Sequence, residues 1–384
     1  MFNPDEIVNL FKYTNEELYN SLKFKSHDYS LKYPNIYHCE GSIWAHICMV
    51  LSNLLYDKTS CEIKPELFIS GLLHDIGKVE VMKTKIDKDN NPKIIMYGHE
   101  YIGTFIALDV LKNMFKDKIK NYDIEFILKM INLHMILYDL NNHFNQNNEL
   151  IVPIKTKNKI VNSFRKDITL YLYLKELFKA DNYGRITSFE EYKKSEQVID
   201  YLSYIINSEL GETYVKEVSK ENIKPNKVIM MIGVPGSGKS TFTQNFINKN
   251  KDYMILSRDK IIEDNINKSQ YDNYNDSFKD EEFQKFVSKQ FDIEFDSMIK
   301  NNKNIVIDMT NLTYKSRKQK LLKIPEDKYW KVAEVFIRSY NDIIKINNER
   351  KNHNIPQNTL IGMMSMLRFP LYNEFDEINY HIIY

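Results

Sequence analysis

The chain has 384 residues, enough for two cores, and 53 Lys plus Arg against 52 Asp plus Glu leave a net charge of +1. That balance excludes a protein that coats nucleic acid through bulk charge, so any polynucleotide must be gripped locally, at an end. No apolar run approaches the roughly 18 residues of a membrane span, and the amino terminus, MFNPDEIVNLFKYTNEELYN, has acids where a signal peptide starts basic, so a cytoplasmic protein is expected.

Up to about residue 210, apolar positions recur at three and four in SIWAHICMVLSNLL, HEYIGTFIALDVLKNMF, YDIEFILKMINLHMIL and ITLYLYLKELFKADNY, which predicts an all-α helical bundle. The stretch from Asn141 to Leu150, NNHFNQNNEL, reads as a polar loop. Cys39, Cys48 and Cys61 form no CxxC pair and read as reduced thiols buried in a core.

On or beside the predicted helices lie, in order, His46, His74-Asp75, His99, His134 and Asp181. An adjacent His-Asp pair sets an imidazole and a carboxylate on one metal, and the carboxylate can bridge to a second. Such nitrogen and oxygen donors suit one or two divalent ions among manganese, iron, nickel, cobalt and zinc. Lys78, four residues after His74, is expected on the same helical face, where it can direct charge at a bound phosphate, and Arg185 repeats that spacing after Asp181. His38, in HCEG, is a further candidate for the pocket. His27 and His143 have no partner pattern and are read as ordinary residues.

The segments HDIGK, YGHE, LHM and ADNYGR resemble the HD phosphohydrolase superfamily, especially the HD domain associated with bacterial tRNA nucleotidyltransferases, over about Tyr37 to Ile186. The resemblance implies that His46, His74, Asp75 and Asp181 hold one metal and that His99 and His134 mark the two-metal version. It also implies that metal-activated water attacks phosphorus while Lys78 and Arg185 stabilise the leaving charge.

After Gly211 a charged stretch, ETYVKEVSKENIKPNK, passes Pro225, and the pattern changes to short apolar runs, which places two domains at 1–222 and 223–384. KVIMMIG, DYMILS, NIVIDMT and WKVAEVFI read as strands. Helices are expected from Lys239, near Glu281 and after Thr313, so this half reads as an α/β fold with a parallel sheet covered on both faces.

The first of these strands runs into Gly233-Val-Pro-Gly-Ser-Gly-Lys-Ser-Thr241 and then a helix, a phosphate-cradling loop. Gly233, Pro235, Gly236, Ser237, Gly238 and Thr241 shape the cradle, Lys239 reaches the β and γ phosphates of ATP or another nucleoside triphosphate, and Ser240 offers a hydroxyl to magnesium. Asp259, at the end of the second strand in SRD, is positioned across the cleft to deprotonate an attacking hydroxyl; a helix-capping role is the alternative. Asp308, in DMTN, reads as a partner for a magnesium-bound water or an arginine, while Asn311 and Arg317 read equally well as structural. Arg350 in NNERKNHNIP, before a helix running to Arg368-Phe-Pro370, reads as a lid cation that neutralises the transferred group.

Together GVPGSGKST, SRD, DMTNLTYKSR and NNERKNHNIP resemble the P-loop kinases of polynucleotide 5′-hydroxyl ends, of the phage end-healing type, over Lys227 to Tyr384. By that resemblance Asp259 is the general base, Arg350 contacts the phosphates and Asp308 supports the acceptor network. Ile262 and Ile346 stand where that family often has arginines.

The two halves in this order resemble a bifunctional RNA end-healing enzyme, the HD and kinase fusion (HD-Pnk) type. What this implies is an ATP- and magnesium-dependent 5′-kinase joined to a metal-dependent 2′,3′-cyclic phosphodiesterase or 2′ or 3′ phosphatase. RNA or DNA termini would be substrates, sealing would need a separate RNA ligase, and a homo-oligomer is left open. Two other readings fit the same motifs: both domains acting on free nucleotides or another small metabolite, or an HD hydrolase governed by a nucleotide-sensing P-loop ATPase module.

Overall fold

In the computed structural model the chain divides into two compact units, Met1–Ser219 and Lys220–Tyr384. Every residue is described except 1, 29, 31, 32, 34, 36, 57–62, 211–223, 272 and 351–353. The boundary expected between 222 and 223, Cys61, and residues 351–353 of the lid lie outside the described residues.

The first unit is helical: α1 (Pro4–Thr14), α2 (Glu16–Phe24), α3 (Ile43–Leu55), α4 (Pro65–Leu73), α5 (Lys78–Val81), α6 (His99–Phe115), α7 (Ile124–Leu133), α8 (Ile154–Phe164), α9 (Ile168–Tyr183) and α10 (Phe189–Ile205). Starts are set by side-chain caps: Ser42 accepts from the Ala45 amide at 3.1 Å and Asp167 from the Leu170 amide at 3.0 Å, each satisfying a first-turn donor. Helix α3 buries Ile43, Ile47, Val50 and Leu54 on one stripe, and that stripe carries His46 inward with it. Cys48 falls off the stripe, and both it and Cys39 are exposed, which corrects the expectation of buried thiols.

Two features of this unit differ from the periodicity reading. An antiparallel hairpin, β1 (Lys83–Ile86) and β2 (Pro92–Ile95), interrupts the bundle. The HDIGK segment is also not one helix, because α4 stops at Leu73, residues 74–77 turn, and Lys78 opens α5, so His74 and Lys78 share no helical face. The turn is forced close to α6. A Cβ on Gly77 would stand 2.0 Å from the His99 carbonyl oxygen and 2.7 Å from the Gly103 nitrogen, both backbone atoms that cannot yield. Glycine at 77 therefore lets the His74-Asp75 turn lie against the start of the helix that carries His99.

The second unit holds a five-stranded, all-parallel sheet in the order β4-β5-β3-β6-β7, with β3 (Asn226–Ile232) central, β4 (Tyr253–Ser257), β5 (Asn304–Asp308), β6 (Tyr329–Arg338) and β7 (Glu377–Ile383). Register is fixed by apolar pairs such as Ile229 with Val306 and Ile229 with Val332. The expected strands are four of these; β7 is an addition whose residues are all half-buried, so it lacks the apolar run that marks an interior strand. Helices α11 (Lys239–Lys249), α12 (Arg258–Asp264), α13 (Tyr274–Ser277), α14 (Glu281–Lys300), α15 (Tyr314–Leu321), α16 (Tyr340–Glu349) and α17 (Gln357–Met364) complete the unit. The last ends at Met364 rather than running on to Pro370. One core is built from Ile229, Met231, Val306, Val332 and Phe336, with Phe242 and Phe246 of α11 packed on it.

Arg317, open to a catalytic or structural reading from sequence, is structural. It is fully buried, pairs with both Glu374 oxygens at 2.8 and 2.9 Å, and donates to the carbonyls of Leu312 and Arg368 at 3.2 and 2.9 Å. Arg317→Ala is expected to destabilise this unit by about 3–5 kcal/mol, since Glu374 would be left as a buried unpaired charge. Urea titration followed by tryptophan fluorescence checks this; a loss below about 1 kcal/mol would mean that Glu374 finds water.

Candidate functional site

In the first unit the six expected ligands come together. His74 and His134 occupy the C-cap positions of α4 and α7, where the last carbonyls lack helical partners. Each histidine takes one: His74 Nδ1 lies 2.8 Å from the Gly71 oxygen and His134 Nδ1 2.8 Å from the Ile131 oxygen. His99 Nδ1 lies 2.9 Å from the Met96 oxygen, and His46 Nδ1 lies 3.2 Å from the Gly184 oxygen. With Nδ1–H donating to backbone in every case, the lone pair of Nε2 is what remains, and all four turn inward.

They converge on the carboxylates. His46 Nε2 is 3.0 Å from Asp181 Oδ1 and 3.5 Å from Asp75 Oδ2; His74 Nε2 is 3.4 Å from Asp75 Oδ2. His99 Nε2 is 3.2 Å from the other Asp75 oxygen and 3.2 Å from His134 Nε2. The donors divide into His46, His74 and Asp181 on one side and Asp75, His99 and His134 on the other, with all donor atoms in each group within 4.8 Å of one another. Asp75 thus has one oxygen facing each group, as a bridging carboxylate requires.

A divalent cation fits this arrangement. His46 Nε2 and His74 Nε2 are buried and meet only carboxylate oxygens, and Asp75 Oδ2, which faces both, has the Lys78 ammonium as its one cation; lone pairs gathered in this way are satisfied by a divalent cation. Burial opposes charge on His46, yet Asp181 and Glu40 push its pKa up to about 9. Burial would raise Asp75 too, but the charges of His74 and Lys78 hold it well below the carboxylate range. Two buried carboxylates here demand cationic partners, and the donor set of imidazole and carboxylate suits borderline divalent metals.

Around the cluster, Lys78 Nζ sits 2.6 Å from Asp75 Oδ2 and 3.1 Å from His27 Nε2. Lys78 therefore reaches the site from the start of α5 rather than from the helix of His74. Arg185 lies beyond the end of α9, held by Asn182, by Ser195 and over the Tyr138 ring at 5.7 Å, and it lines the same pocket without pairing with Asp181. That pocket, about 400 Å³, is also lined by His27, His38, Asp75, His99 and Tyr138.

Two residues lining the pocket, His27 and Tyr138, and one behind it, Glu40, were not signalled as such by the sequence. His27, read as ordinary, is buried, stacks on His38 with centroids 4.3 Å apart, and is driven by burial and by Lys78 down to about 2. Glu40 Oε1 lies 2.8 Å from His38 Nδ1 and 3.0 Å from His46 Nδ1, and so tethers a pocket-edge histidine to a ligand histidine. Tyr138 donates its hydroxyl to Asp181 Oδ2 at 2.7 Å. Only Glu40 had a legible hint, its place beside His38 in HCEG.

In the second unit the strands deliver their ends to one edge, where Ser257 and Asp308 close β4 and β5 and Gly233 follows directly on β3. Gly238 has φ +104°, a conformation open to glycine, and it lets the loop reverse into α11 with the first-turn amides facing outward. Lys239 is buried with Nζ 2.9 Å from the Val234 carbonyl. Burial lowers its pKa to about 8 against the opposing charges of Asp308 and Asp259, and Arg350 lowers it further, so all three groups lie within electrostatic reach of the lysine. Ser240 is exposed in the first helical turn. Magnesium and triphosphate fit this cradle, which combines the buried Lys239, within electrostatic reach of two carboxylates, with the exposed Ser240 next to it in the chain.

Asp259 stands in the first turn of α12, capped by Ser257, and accepts from the Tyr274 hydroxyl at 2.7 Å. Arg258 turns away to Gln284 and Ser288 at 2.7 and 3.0 Å. Burial raises the Asp308 carboxyl, Lys239 opposes, and Asp259 adds to the rise. Asn311 is structural: it is buried with φ +47° and donates to the Met231 carbonyl at 2.8 Å. Ile262 is fully buried on the inner face of α12, and Ile346 lies 3.5 Å from where a Cβ on Gly236 would stand, so an apolar side chain covers the loop at that position. Beside the expected lid, Asn347 accepts from the Ile355 amide at 3.0 Å and donates to its carbonyl at 2.8 Å.

Comparison with known proteins finds a family for each unit. Residues 44–205 match the HD domain family and residues 228–370 the AAA domain family AAA_33. A solved Pnkp1/Rnl/Hen1 RNA repair complex contains a chain 21% identical over 38% of this chain and 46% of its own length, with a TM-score of 0.33. A gluconokinase from Sinorhizobium meliloti 1021 is 14% identical over 42% of this chain and 85% of its own, with a TM-score of 0.29. A fungal RNA kinase is 14% identical over 41% and 75%, with a TM-score of 0.26. This chain spans less than half the length of the RNA repair chains that it matches. The protein therefore joins an HD domain, over residues 44–205, to a P-loop kinase-like domain of the AAA_33 family, over residues 228–370.

Proposed function

We propose that the chain heals RNA ends: the second unit phosphorylates a 5′-hydroxyl from ATP, and the first opens or removes a 2′,3′-cyclic, 2′ or 3′ phosphate. The observation that carries this reading is a phosphate cradle with an acceptor-side carboxylate, Asp259, on the same polypeptide as a buried imidazole–carboxylate cluster with unsatisfied inward donors.

In the kinase site, Lys239 and the first-turn amides of α11 hold the β and γ phosphates, with Ser240 at magnesium. Asp259 takes the proton of the attacking hydroxyl, Asp308 supports the acceptor side, and Arg350 offsets charge on the transferred group. Tyr274 fixes the Asp259 carboxylate through one oxygen and leaves the other for the acceptor. Tyr274→Phe is expected to lower kcat about tenfold with KM for ATP within twofold, the worth of one hydrogen bond to a charged group. An unchanged kcat would remove Tyr274 from the site's function.

In the HD site, His46, His74, Asp75, His99, His134 and Asp181 would hold one or two divalent ions. Such ions lower the pKa of water and neutralise phosphoryl oxygens. Lys78, fixed between Asp75 and His27, and Arg185 then offset charge on the phosphoryl group and leaving oxygen.

The test is an RNA bearing a 5′-hydroxyl and a 2′,3′-cyclic phosphate, incubated with the protein, ATP, magnesium and manganese. Both ends are expected to change, by label transfer at the first and loss of the cyclic phosphate at the second. ATP consumption with no transfer to RNA or DNA would sink the polynucleotide reading in favour of a small acceptor or a regulatory ATPase.

A further inference from the structure

Arg185 lies one residue past Gly184, the C-cap of α9, so the helix does not fix its direction relative to Asp181. A relay of hydrogen bonds fixes it instead. Arg185 Nη2 donates to Asn182 Oδ1, Asn182 Nδ2 donates to the Tyr138 hydroxyl at 3.0 Å, and that hydroxyl donates to Asp181 Oδ2 at 2.7 Å. Asp181 Oδ1 lies 3.0 Å from His46 Nε2, within the donor group of His46, His74 and Asp181. The relay thus joins a cation of the pocket wall to a member of the metal-binding cluster.

Its direction is set at every link. A carboxylate only accepts, so the single Tyr138 proton goes to Asp181 and the phenolic oxygen is left to accept from Asn182. Asn182 Nδ2 faces two acceptors, the Tyr138 hydroxyl and the Phe178 carbonyl at 2.7 Å, while its Oδ1 faces two donors, Arg185 and the Ser195 hydroxyl at 2.9 Å. Turning this amide over would set donor against donor, so one orientation holds. Bonds donating in one direction polarise one another, and these are shielded from water, with Asn182 2% and Ser195 6% exposed. Asp181, Tyr138 and Arg185 line the pocket, and Asn182 and Ser195 are not part of its lining. With Arg185 Nη2 engaged by Asn182 and Ser195, Arg185 Nε is buried and has no hydrogen-bond partner. A guanidinium donor left open in the wall of a phosphate-handling pocket suits an oxyanion.

We propose that Tyr138 and Asn182 are positioning residues: they tie the Arg185 guanidinium to Asp181 and so set where the cation that receives a phosphoryl oxygen stands relative to the metal of the His46, His74 and Asp181 group. They act through Arg185. The inference rests on the phosphoesterase reading of the HD site and deepens it.

The test uses the full-length protein with manganese and 2′,3′-cyclic AMP. Tyr138→Phe keeps the ring that lies under Arg185 and packs on Phe178, and cuts the relay at Asp181. Asn182→Ala cuts it at Arg185 and keeps the Tyr138 bond to Asp181. Each is expected to lower kcat about 10–100-fold, the cost of a misplaced charged group, with KM within about threefold and manganese content equal to the parent's. In an Arg185→Ala background, adding Tyr138→Phe should cost less than about twofold, because a residue that acts through the arginine then has nothing to position. Losses that multiply in the double variant overturn the relay. So does manganese lost from Tyr138→Phe while Asn182→Ala keeps both metal and rate, which would make Tyr138 a support of Asp181 alone. Should Asn182→Ala fail to fold, the cycle of Tyr138→Phe with Arg185→Ala decides by itself. If the parent protein hydrolyses no phosphoester, the reading of the HD site fails, and inorganic phosphate still tests the relay. With manganese present it should raise the melting temperature of the parent HD unit, and Tyr138→Phe should remove as much of that rise as Arg185→Ala does. An undiminished rise in Tyr138→Phe would overturn the inference.

Discussion

Substituting Asp259 by Ala is expected to abolish label transfer from ATP to a 5′-hydroxyl RNA, by about 10²–10⁴-fold, while ATP binding stays within threefold of the parent protein. In the proposed mechanism the carboxylate serves the acceptor hydroxyl rather than the phosphate cradle, so its loss belongs in kcat. Lys239→Met should cost about 10³-fold or more and weaken ATP binding as well, because the lysine is the buried cation of the cradle. The same lysine opposes stability: burial has lowered it to about 8, so methionine of similar length is expected to leave the melting temperature unchanged or higher. Both variants should retain hydrolysis by the HD unit, which serves as the folding control within one polypeptide. Transfer above a tenth of the parent rate in Asp259→Ala would mean that another group takes the proton.

How much of this was legible in the sequence depends on whether the signal was local. The phosphate loop, the strand end carrying Asp308, the strand-to-helix junction carrying Asp259, and the helices bearing His46 and Asp181 follow from short-range patterns, since a run such as KVIMMIG has one reading when a glycine loop follows it. The HDIGK turn failed because helical spacing was extended through a glycine that the fold uses for close approach to His99. Arg185 failed in a related way: Gly184 caps α9, so a spacing of four past Asp181 no longer means a shared face. His27 and Tyr138 were beyond reach in principle. They join the pocket through contacts 51 and 43 residues away in the chain, with Lys78 and Asp181, and no local pattern encodes such pairs. Strand β7 was missed because an edge strand at the periphery carries half-buried residues, so the continuous apolar run that marks an interior parallel strand is absent.

Asp75→Asn should remove the HD activity almost completely, by about 10³-fold or more, and it should do so by losing metal rather than by unfolding. Asp75 offers one oxygen to each donor group, so neutralising it deprives both of their shared anion while leaving the side-chain volume in place. Metal analysis of the purified variant is therefore expected to show loss of the whole complement. By contrast, His134→Ala should remove only the ion of the Asp75, His99 and His134 group, and Glu40→Gln, which acts on His46 from outside, should weaken affinity about 10–100-fold without changing stoichiometry. Chelation of the parent protein should lower the melting temperature of the HD unit alone, since an ion present at a thousand times its Kd contributes about 4 kcal/mol to the folded state. The kinase of each variant should be unaffected at fixed magnesium. Full metal content and full phosphoesterase activity in Asp75→Asn would overturn the bridging role, because no other carboxylate in the cluster faces both groups of histidines.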